Sequence, residues 1–506
     1  MKKFARKQWI KFAVWGILYV LFCIWMERLW LLIGLLVIAD AFLTKFVPWG
    51  AWRKVKNPTL RSTLSWIDDI LFALIAVYFI NLFVFQNYQI PSSSLEKSLL
   101  VGDYLYVSKV SYGPRIPNTP LSFPLVQNTF PILNCKSYFE WPQWDYRRIK
   151  GTGHVKRNDI VVFNFPAGDT IAVKQQNPDY YTLIAEYGRD RIHMDKATFG
   201  EIMYRPIDRR ENFVKRCIVL PGDSLLIRNN QVYINGVAAK NPKNLQFNYY
   251  WETDGSLLSD EQFELLGVSR DDRTLANDGN YYESMLTFLG FAPAANGRFN
   301  PVYRLPLTNK ALAQAEKISC IKQIVIEPES LGGPVYPVTY NTGWTRDNYG
   351  PIWIPKRGAT IQLNEKNLAL YFRCIRNYEH NDLVVSNGHA TINGKPVTSY
   401  TFKYDYYWMM GDNRHNSADS RFWGFVPEDH IVGKPLLIWL SLDKDHSLFN
   451  GGIRWSRIFR SVNTTVQEKL NDENTGSNRP TVRYCSCCHC AHCMGRSPLV
   501  YPVVRG

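Results

Sequence analysis

Three consecutive serines that follow an apolar stretch provide the first candidates for nucleophilic chemistry. Ser92, Ser93 and Ser94 come directly after Pro91 in the segment Gln86–Gly113. A serine hydroxyl is a weak nucleophile at neutral pH and attacks a carbonyl group only when an adjacent base accepts its proton. Taken alone, this segment favours a hydroxyl-rich linker, so its chemistry depends on a base elsewhere in the chain.

A lysine among apolar residues is the candidate base. Lys215 lies in the segment Phe213–Ile227, ahead of a Pro-Gly-Asp turn. A lysine accepts a proton only when its amine is neutral, so work near pH 7 to 8 requires a pKa ~2–3 units below the ordinary value of about 10.4. Burial among apolar groups lowers the pKa in this way. The alternative is an ordinary strand lysine whose ammonium group reaches solvent.

A polar loop between apolar stretches forms the third candidate segment, Tyr407–Pro427. Its many hydrogen-bonding groups need partners, which a purely structural role would also explain. Of the nine histidines in the chain, none lies in a recognisable triad motif. The sequence also contains neither a Gly-x-Ser-x-Gly elbow nor a His-Glu-x-x-His helix, which weakens a His-based triad and a metalloprotease as alternatives.

Four motifs in order make the combination specific. They are the serine motif, the Arg157–Phe163 strand, the Lys-Arg-x-x-x-x-Pro-Gly-Asp motif at Lys215–Asp223, and Gly-Asp-Asn-Arg-x-x-Ser-x-Asp-Ser-Arg at Gly411–Arg421. Together they resemble the type I signal peptidase family of bacteria, the membrane-bound Ser/Lys proteases. The resemblance implies a mainly β protein, in which a catalytic domain of the signal-peptidase type is anchored by N-terminal transmembrane helices and carries a large inserted second β-rich domain.

The resemblance also assigns roles to individual residues. It implies that Ser94 is the nucleophile, Lys215 the general base, Ser92 the oxyanion-hole hydroxyl and Ser417 the serine that hydrogen-bonds the lysine. The positions that brace the site in the family correspond here to Asp412, Arg414, Asp419 and Arg421. The positions that line shallow pockets for small substrate side chains correspond to Ile90, Leu95, Phe213 and Val214.

The sequence departs from the family pattern at four positions. Leu95 and Lys97 stand where the family usually has Met and Pro, Ser93 replaces a common Gly, and His415 replaces a common Asp. Leu in place of Met keeps an apolar wall, whereas Lys97 loosens a turn and adds a charge near the mouth of the site. None of these changes removes a chemical group that the mechanism needs.

The basic charge of the chain is concentrated at its N-terminal end. Eleven Lys and Arg residues against two acidic residues fall in positions 1–65, so +9 of the net +15 lies there. Three apolar stretches, Trp9–Met26, Leu29–Trp49 and Trp66–Phe85, are each close to the ~20 residues that cross a bilayer. Basic residues beside apolar stretches are typical of a membrane protein rather than of a nucleic-acid groove.

The positions of these charges predict an orientation. Basic residues precede the first stretch and separate the second from the third, which places both regions in the cytoplasm. Three crossings then place everything after Phe85 on the outer, periplasmic side of the inner membrane. The second stretch contains Asp40 and Lys45 and is the weakest of the three; if it is interfacial or buried instead, the argument from the number of crossings fails.

Beyond Phe85 the pattern predicts short strands with one helical patch at Leu307–Ile321. Asn-Gly pairs beginning at Asn235, Asn387 and Asn393 indicate hairpins. The strands are predicted at Asp103–Val110, Asp159–Phe165, Ser224–Ile234, Ile361–Phe372 and Leu436–Ser441.

The predicted domains are two transmembrane helices with a cytoplasmic basic loop (1–65), a third transmembrane helix (66–86), the first part of the catalytic domain (87–234), an inserted accessory domain (235–400), the second part of the catalytic domain (401–445) and a Cys/His-rich tail expected to be disordered (446–506).

The resemblance implies a membrane-anchored serine endopeptidase that removes signal peptides from secreted preproteins after small residues, with membrane lipid and the protein secretion machinery as partners and without nucleic acid or a cofactor. Two alternatives stay open: a Ser/Lys peptidase of narrow range, such as one that processes pilins or conjugation proteins, and an inactive membrane-anchored binding protein. Five cysteines and two histidines in Cys485–Cys493 are either a zinc or copper site or a tail without function, and no metal site is predicted in the catalytic domain.

Overall fold

The computed structural model describes residues 6–462 except 131, 132, 134, 167–169, 176, 177, 278–281, 316, 387, 448 and 449. These residues form two compact units. The smaller unit extends from Leu245 to Gly332, and the larger one comprises the residues before and after it. The Cys/His-rich segment and the Asn387 of one predicted hairpin lie outside the described residues.

The described α-helices are mostly short, apart from two long ones near the N-terminus. They are α1 (Arg6–Trp25), α2 (Gly34–Ala39), α3 (Pro58–Phe83), α4 (Tyr180–Tyr187), α5 (Arg189–Met194), α6 (Lys196–Phe199), α7 (Asp260–Leu266), α8 (Tyr282–Phe288), α9 (Asn309–Ala315), α10 (Glu365–Arg373) and α11 (Ser420–Trp423).

Strands make up most of the regular structure after α3, which confirms the predicted mainly β class. They are β1 (Phe85–Gln89), β2 (Asp103–Ser108), β3 (Ile160–Asn164), β4 (Thr170–Ala172), β5 (Ile202–Tyr204), β6 (Asn212–Val219), β7 (Ser224–Arg228), β8 (Gln231–Ile234), β9 (Val237–Ala238), β10 (Gln246–Thr253), β11 (Thr274–Leu275), β12 (Val302–Thr308), β13 (Ile321–Ile326), β14 (Tyr349–Trp353), β15 (Thr360–Gln362), β16 (Leu383–Ser386), β17 (His389–Ile392), β18 (Lys395–Val397), β19 (Ser399–Thr401), β20 (Tyr406–Met410), β21 (Val426–Pro427), β22 (Ile431–Ser441) and β23 (Arg460–Ser461).

Two helices among the described residues are long and apolar enough to cross a membrane, namely α1 with 20 residues and α3 with 26. At the predicted third such helix, Leu29–Trp49, the apolar helical stretch is shorter and ends at Thr44, so its crossing of the membrane stays a prediction. Its end has a physical cause. The Asp40 carboxylate accepts hydrogen bonds from the backbone N–H groups of Phe46 and Val47, at 2.7 and 3.1 Å, and so turns the chain.

The C-terminal ends of α1 and α3 contact the same part of the larger unit. Met26 and Phe83 lie at these two ends, and both pack with Ile116 and Ile149 in one hydrophobic cluster. The stretch that follows α1 runs back along it, since the Tyr19 hydroxyl donates to the carbonyl oxygen of Leu31 at 2.7 Å. The C-terminal ends of α1 and α3 therefore meet at the same part of the β-rich region.

The candidate site lies on an eight-stranded sheet with the order β1-β2-β22-β3-β6-β20-β21, in which β23 also pairs with β22. Both faces of this sheet are covered. Ile160 and Val162 of β3 pack into one hydrophobic cluster, whereas the alternate residues Val161 and Phe163 pack into another. Burial on both faces explains why the first four residues of this strand are all apolar instead of alternating between apolar and polar.

Residues 333–400 belong to the larger unit, which differs from the predicted inserted domain at 235–400. β14 pairs with β7, and Tyr349 and Phe402 are buried in the same hydrophobic cluster as Trp408 of β20. The aromatic residues of this segment therefore complete the core behind the sheet that carries the site. The separate unit is limited to the residues between Leu245 and Gly332.

The smaller unit is built on a four-stranded sheet with the order β11-β12-β10-β13. β10 pairs with β12 and β13 in antiparallel register, and Trp251 of β10 is fully buried. α7 and α9 contribute Phe263 and Leu312 to the hydrophobic cluster on one face of this sheet. The predicted helical patch at Leu307–Ile321 is therefore only partly helical, because it begins within β12 and ends at β13.

Two other predicted elements differ from the structure. The predicted strand Ile361–Phe372 is mostly α10, because Asn364 caps that helix by accepting from the backbone N–H of Asn367 at 2.8 Å. Part of the tail predicted to be disordered is packed on the larger unit: Arg457 is buried and its Nε donates to the Asp103 carboxylate at 3.0 Å. Buried polar anchors that come from distant strands cannot be recognised from local composition.

We expect Phe402→Ala to destabilise the larger unit by ~3–5 kcal/mol, because it removes a buried ring that contacts Tyr371 and Tyr406. Phe263→Ala is the matched control, since it removes a buried ring from the smaller unit. Limited proteolysis along a urea gradient, with the fragments mapped by mass spectrometry, measures which unit opens first. Early cleavage between residues 245 and 332 in the Phe402 variant would contradict the division into two units.

Candidate active site

Ser94 lies in a short 3-10 turn, Ser93–Leu95, that follows β1. Leu95 anchors this turn because its side chain is buried in the hydrophobic cluster below it. The polar loop after β20 holds the turn from another side: the backbone N–H of Asn413 donates to the Ser94 carbonyl oxygen at 3.1 Å, and Asn416 Nδ2 donates to Ser93 Oγ at 3.0 Å. The candidate nucleophile is therefore held through its backbone.

Lys215 lies in β6, between β3 and β20, where it pairs with Val161. Its side chain is buried, and its Nζ lies 2.5 Å from Ser94 Oγ. The fold thus brings together two residues that are 121 positions apart in the chain. The distance between nitrogen and oxygen is that of a direct hydrogen bond, so a proton can pass between them without an intervening group.

The surroundings of Lys215 favour its neutral form. Burial lowers the pKa of the amine to about 8, even though the negative charges of Asp419 and Asp412 act in the opposite direction. Relative to an ordinary lysine, this change corresponds to ~3 kcal/mol in favour of the neutral amine. A substantial fraction of the amine is therefore able to accept a proton at mildly alkaline pH.

The two predicted accessory serines lie next to this pair. Ser92 Oγ lies 3.5 Å from Ser94 Oγ. Ser417 Oγ is buried and has no hydrogen-bond partner among the residues that the structure describes, so the expected bond to Lys215 is not formed there. A Cβ added at Gly411 would lie 2.3 Å from Ser417 Oγ and 2.6 Å from the Ser94 carbonyl oxygen, which places Ser417 beside the nucleophile turn.

Asp412 forms a buried ion pair with Arg216, the residue after the candidate base. The guanidinium donates from Nε and Nη2 to the two carboxylate oxygens at 2.7 and 2.6 Å. Ser98 Oγ donates to the same carboxylate at 2.6 Å. Burial by itself raises the pKa of this carboxyl, but Arg216 outweighs burial and holds the pKa below its usual value. Asp412 therefore stays ionised and fully paired beside the site.

Asp419 forms a second buried ion pair with Arg421. Nε and Nη2 of Arg421 donate to the carboxylate at 2.9 and 2.8 Å, and the backbone N–H of Gly411 donates to it at 3.1 Å. Arg421 also donates to the Arg414 carbonyl oxygen at 2.6 Å, and Arg414 Nε donates to the Gly411 carbonyl oxygen at 3.1 Å. Three of the four residues predicted to brace the site, Arg414, Asp419 and Arg421, thus close the loop after β20 into one network, whereas Asp412 pairs with Arg216.

His415, which replaces the common Asp of the family, contacts a buried aspartate. His415 Nε2 lies 3.1 Å from Asp347 Oδ1, and both side chains are buried. Burial raises the pKa of the Asp347 carboxyl, but the hydrogen bond with His415 and the nearby charges of Arg346 and Arg421 together lower it overall. The histidine thereby links the loop of the site to the segment before β14.

Three of the four predicted pocket residues share one environment and the fourth does not. Ile90, Leu95 and Val214 contact the same hydrophobic cluster around the nucleophile turn. Phe213 instead packs in the neighbouring cluster, where its ring stacks on that of Phe165 with centroids 4.5 Å apart. Neighbouring residues of a strand point to opposite faces, which accounts for the difference between Phe213 and Val214.

A cavity of about 550 Å³ lies beside β1, between the end of α3 and the site. Its lining includes Phe85 and Tyr88 of β1, Asn81 of α3 and Asn212 of β6. Since β1 leads from the end of α3 to the turn of Ser94, the cavity adjoins the route between the apolar helix and the candidate nucleophile.

The described residues contain no group of three or more His, Cys, Asp or Glu side chains that could hold a metal ion. The described cysteines, Cys23, Cys135, Cys217, Cys320 and Cys374, are free thiols. The segment Cys485–Cys493 lies outside the described part of the chain, so a zinc or copper site in it stays a prediction.

Sequence analysis missed several residues that the site uses. Arg216 and Ser98 complete the environment of Asp412, and Asn413 holds the nucleophile turn. Arg216 and Asn413 lie inside motifs that were already recognised, so their position beside Lys215 and Asp412 was an available signal. Ser98 carried no such signal, because its partner lies 314 positions away.

A serine beside a buried lysine, on a mainly β scaffold that follows apolar helices, is the arrangement of a serine peptidase. The chain matches the family described as "Signal peptidase, peptidase S26" over residues 63–281 and 354–440, which is more than half of its length. The protein therefore belongs to the S26 signal peptidase family and is a serine peptidase of the hydrolase class. This finding confirms the identification made from the motifs.

Curated relatives named Signal peptidase I are similar over most of the chain. The protein from Buchnera aphidicola subsp. Acyrthosiphon pisum is 23% identical over 413 residues, which cover 80% of this chain and 83% of the relative. That from Haemophilus influenzae is 23% identical and covers 81% and 79%, respectively. That from Helicobacter pylori strain J99 is 22% identical and covers 79% and 91%.

We expect Gly411→Ala to lower kcat/KM by ~10²-fold or more, because its Cβ would collide with Ser417 and with the backbone of Ser94 and so displace the nucleophile. Gly153→Ala is the control, since a Cβ there meets nothing closer than 3.7 Å. Peptide cleavage and thermal unfolding of both variants measure the effect. Wild-type activity of Gly411→Ala would contradict the close packing around the turn.

Proposed function

We propose that this protein is a membrane-anchored signal peptidase that removes N-terminal signal peptides from secreted preproteins by a Ser/Lys acyl-enzyme mechanism. The observation that carries the proposal is the 2.5 Å contact between Lys215 Nζ and Ser94 Oγ, with both groups buried. Membership of the S26 family and relatives named Signal peptidase I support the substrate class.

The first chemical step is acyl transfer to Ser94. The neutral amine of Lys215 accepts the hydroxyl proton while Ser94 Oγ attacks the scissile carbonyl, and the C–N bond then breaks as the protonated Lys215 returns that proton to the leaving amine. In the second step Lys215 accepts a proton from water, which attacks the ester carbonyl; the ester C–O bond then breaks and Lys215 returns the proton to Ser94 Oγ. Asp412 and Asp419 are each paired with an arginine, so these carboxylates do not compete with Lys215 for the hydroxyl proton of Ser94.

The negative charge that develops on the carbonyl oxygen requires hydrogen-bond donors. The backbone N–H of Ser94 and the hydroxyl of Ser92 are the proposed pair, and Ser92 Oγ already lies 3.5 Å from the nucleophile oxygen. Removal of one such donor typically lowers kcat by ~10²–10³-fold. Ser417, whose buried hydroxyl lacks a partner among the described residues, is proposed to contact the lysine during the reaction.

The substrate is proposed to bind as an extended strand along β1. This strand lies at one end of the sheet order, so its outer edge offers unpaired backbone groups to a peptide. Side chains one and three residues before the cut would meet the apolar surface of Ile90, Leu95 and Val214. Small side chains such as Ala are proposed at these two positions of the substrate.

Membrane anchoring is proposed to bring the enzyme and the membrane-inserted part of its substrate together. α1 and α3 supply the apolar length, and both end at the β-rich region. With basic residues before α1 and before α3, the positive-inside rule places these starts in the cytoplasm and the active site on the periplasmic side of the inner membrane. Tethering raises the effective concentration of the scissile bond without any new contact. The protein secretion machinery is the proposed source of the substrate.

Ser94→Ala and Lys215→Ala should each lower cleavage of a preprotein with an Ala-x-Ala site by at least ~10³-fold, because each variant lacks one half of the proton-transfer pair. Ser111→Ala and Lys156→Ala, which change the same residue types outside the site, are the matched controls. Gel analysis of the full-length enzyme in detergent micelles provides the measurement. Unchanged processing by Ser94→Ala would favour the binding protein, and cleavage of pilin precursors alone would favour the peptidase of narrow range.

The pH dependence of kcat/KM should show an alkaline requirement with an apparent pKa of about 8, since burial lowers the pKa of the Lys215 amine to that value. Below this pH the amine is protonated and cannot act as a base, so kcat/KM should fall by ~10-fold for each pH unit. Initial rates on a short peptide between pH 6 and 10 test this sign and position. A limb near pH ~10, the ordinary lysine value, would argue against Lys215 as the base.

A further inference from the structure

The chain between β2 and β3 contains a hairpin that projects from the larger unit. Its two arms, residues 115–130 and 135–148, are joined by backbone hydrogen bonds: the Phe139 N–H donates to Leu121 O at 2.9 Å and the Phe123 N–H donates to Ser137 O at 2.7 Å. Closer to the base, the Trp144 N–H donates to Asn118 O at 2.9 Å. The hairpin is therefore an ordered element with two distinct faces.

One face of the hairpin packs on the protein. Tyr138 is buried, and the guanidinium of Arg209 lies over its ring at 5.1 Å from the centroid. The neighbouring residue Phe139 points away and is 69% exposed, and Trp141, two residues further, is 84% exposed. The alternation along an extended arm accounts for this contrast.

The two arms of the hairpin carry exposed apolar side chains. The large ones, here called the apolar surface, are Leu121, Phe123, Leu125, Phe139, Trp141 and Trp144, of which Phe123 and Leu125 also line the cavity beside β1. The sequence from Pro117 to Cys135 contains no charged residue, and on the second arm Lys136 forms an ion pair with Glu140. Large exposed apolar side chains concentrated on one element mark a surface that contacts a membrane or a partner.

The base of the hairpin is attached to the ends of both long apolar helices. Ile116 and Ile149 pack against Met26 after α1 and Phe83 at the end of α3. The Arg147 guanidinium also forms an ion pair with Glu27, in the turn that follows α1, at 3.6 Å. The hairpin therefore emerges where the two candidate spans meet the β-rich region.

A contact with α3 fixes the depth of the hairpin. The Tyr78 hydroxyl donates to the Pro120 carbonyl oxygen at 2.8 Å. Tyr78 precedes the end of α3 at Phe83 by five residues, or ~7.5 Å along the axis at 1.5 Å per residue. The hydrocarbon core is ~30 Å thick, whereas 26 residues extend ~39 Å, and the charged residues of α3 lie in its first turns, so its last turns lie at the outer boundary of the hydrocarbon core. The start of the apolar surface lies at that level.

We propose that the apolar surface of this hairpin inserts into the phospholipid interface, as a third attachment to the bilayer beside α1 and α3. This inference rests on the membrane anchoring in the proposed function. The bilayer is the occupant that the contacts favour, because the hairpin begins beside the last turns of two membrane helices and carries tryptophan and phenylalanine, which favour the interface. Insertion would hold the β-rich region, and with it Ser94, at a fixed position relative to the lipid.

Site-specific photocrosslinking to lipid tests the proposal on the full-length protein in phospholipid vesicles. Benzoylphenylalanine is introduced singly at Phe139 or Trp141 of the hairpin, at Phe72 of α3 as the anchor site, and at Val237 or Val384, which are exposed on other sheets of the larger unit. After irradiation, mass spectrometry measures the fraction of each protein that carries a phospholipid adduct. We expect adducts at Phe72, Phe139 and Trp141, at least several-fold above those at Val237 and Val384.

The possible outcomes separate the inference from the function on which it rests. Adducts at Phe72 with only background at Phe139 and Trp141 would overturn the insertion of the hairpin and leave the membrane anchoring intact. Background at Phe72 as well would overturn the anchoring and the insertion together. Crosslinks from Phe139 to another protein instead of lipid would show that the apolar surface binds a protein partner, which also overturns the proposal.

Discussion

A lysine amine that is buried within 2.5 Å of a serine hydroxyl is the constraint around which the rest of the larger unit is arranged. Its neutral form requires a dry environment, and a sheet with both faces covered provides one. The same burial would be costly for any unpaired charge nearby. Every carboxylate close to Lys215 must therefore have its own cation, or it would favour the protonated amine.

The two arginine–aspartate pairs meet this requirement and also shape the loop after β20. Arg216 neutralises Asp412, and Arg421 neutralises Asp419, each with two hydrogen bonds. Removing one partner of such a buried pair typically costs ~3–5 kcal/mol. The pairs thus connect the electrostatics of the base to the stability of the loop, and that loop in turn holds the backbone of Ser94.

The candidate nucleophile and base were predictable because each lies in a short family motif and the motifs occur in the expected order. The sequence alone does not give the distance between Ser94 and Lys215. Strands buried on both faces were also recognisable, as at Ile160–Asn164. The end of the helical stretch at Thr44, the helix that replaces the predicted strand after Asn364, and the packing of Phe402 behind the sheet depend on hydrogen bonds or contacts from distant residues. Local patterns carry no information about such partners, and the exposed hairpin was missed for the same reason.

The short strand β1 sets a length that a substrate would have to match. It begins two residues after α3 ends, and its five residues cover ~17 Å of the path from α3 towards the turn of Ser94. If a preprotein lies alongside with its own apolar segment in the bilayer, β1 sets a minimum length for the residues between that segment and the scissile bond. A spacer shorter than about five extended residues would leave the scissile bond out of reach of Ser94.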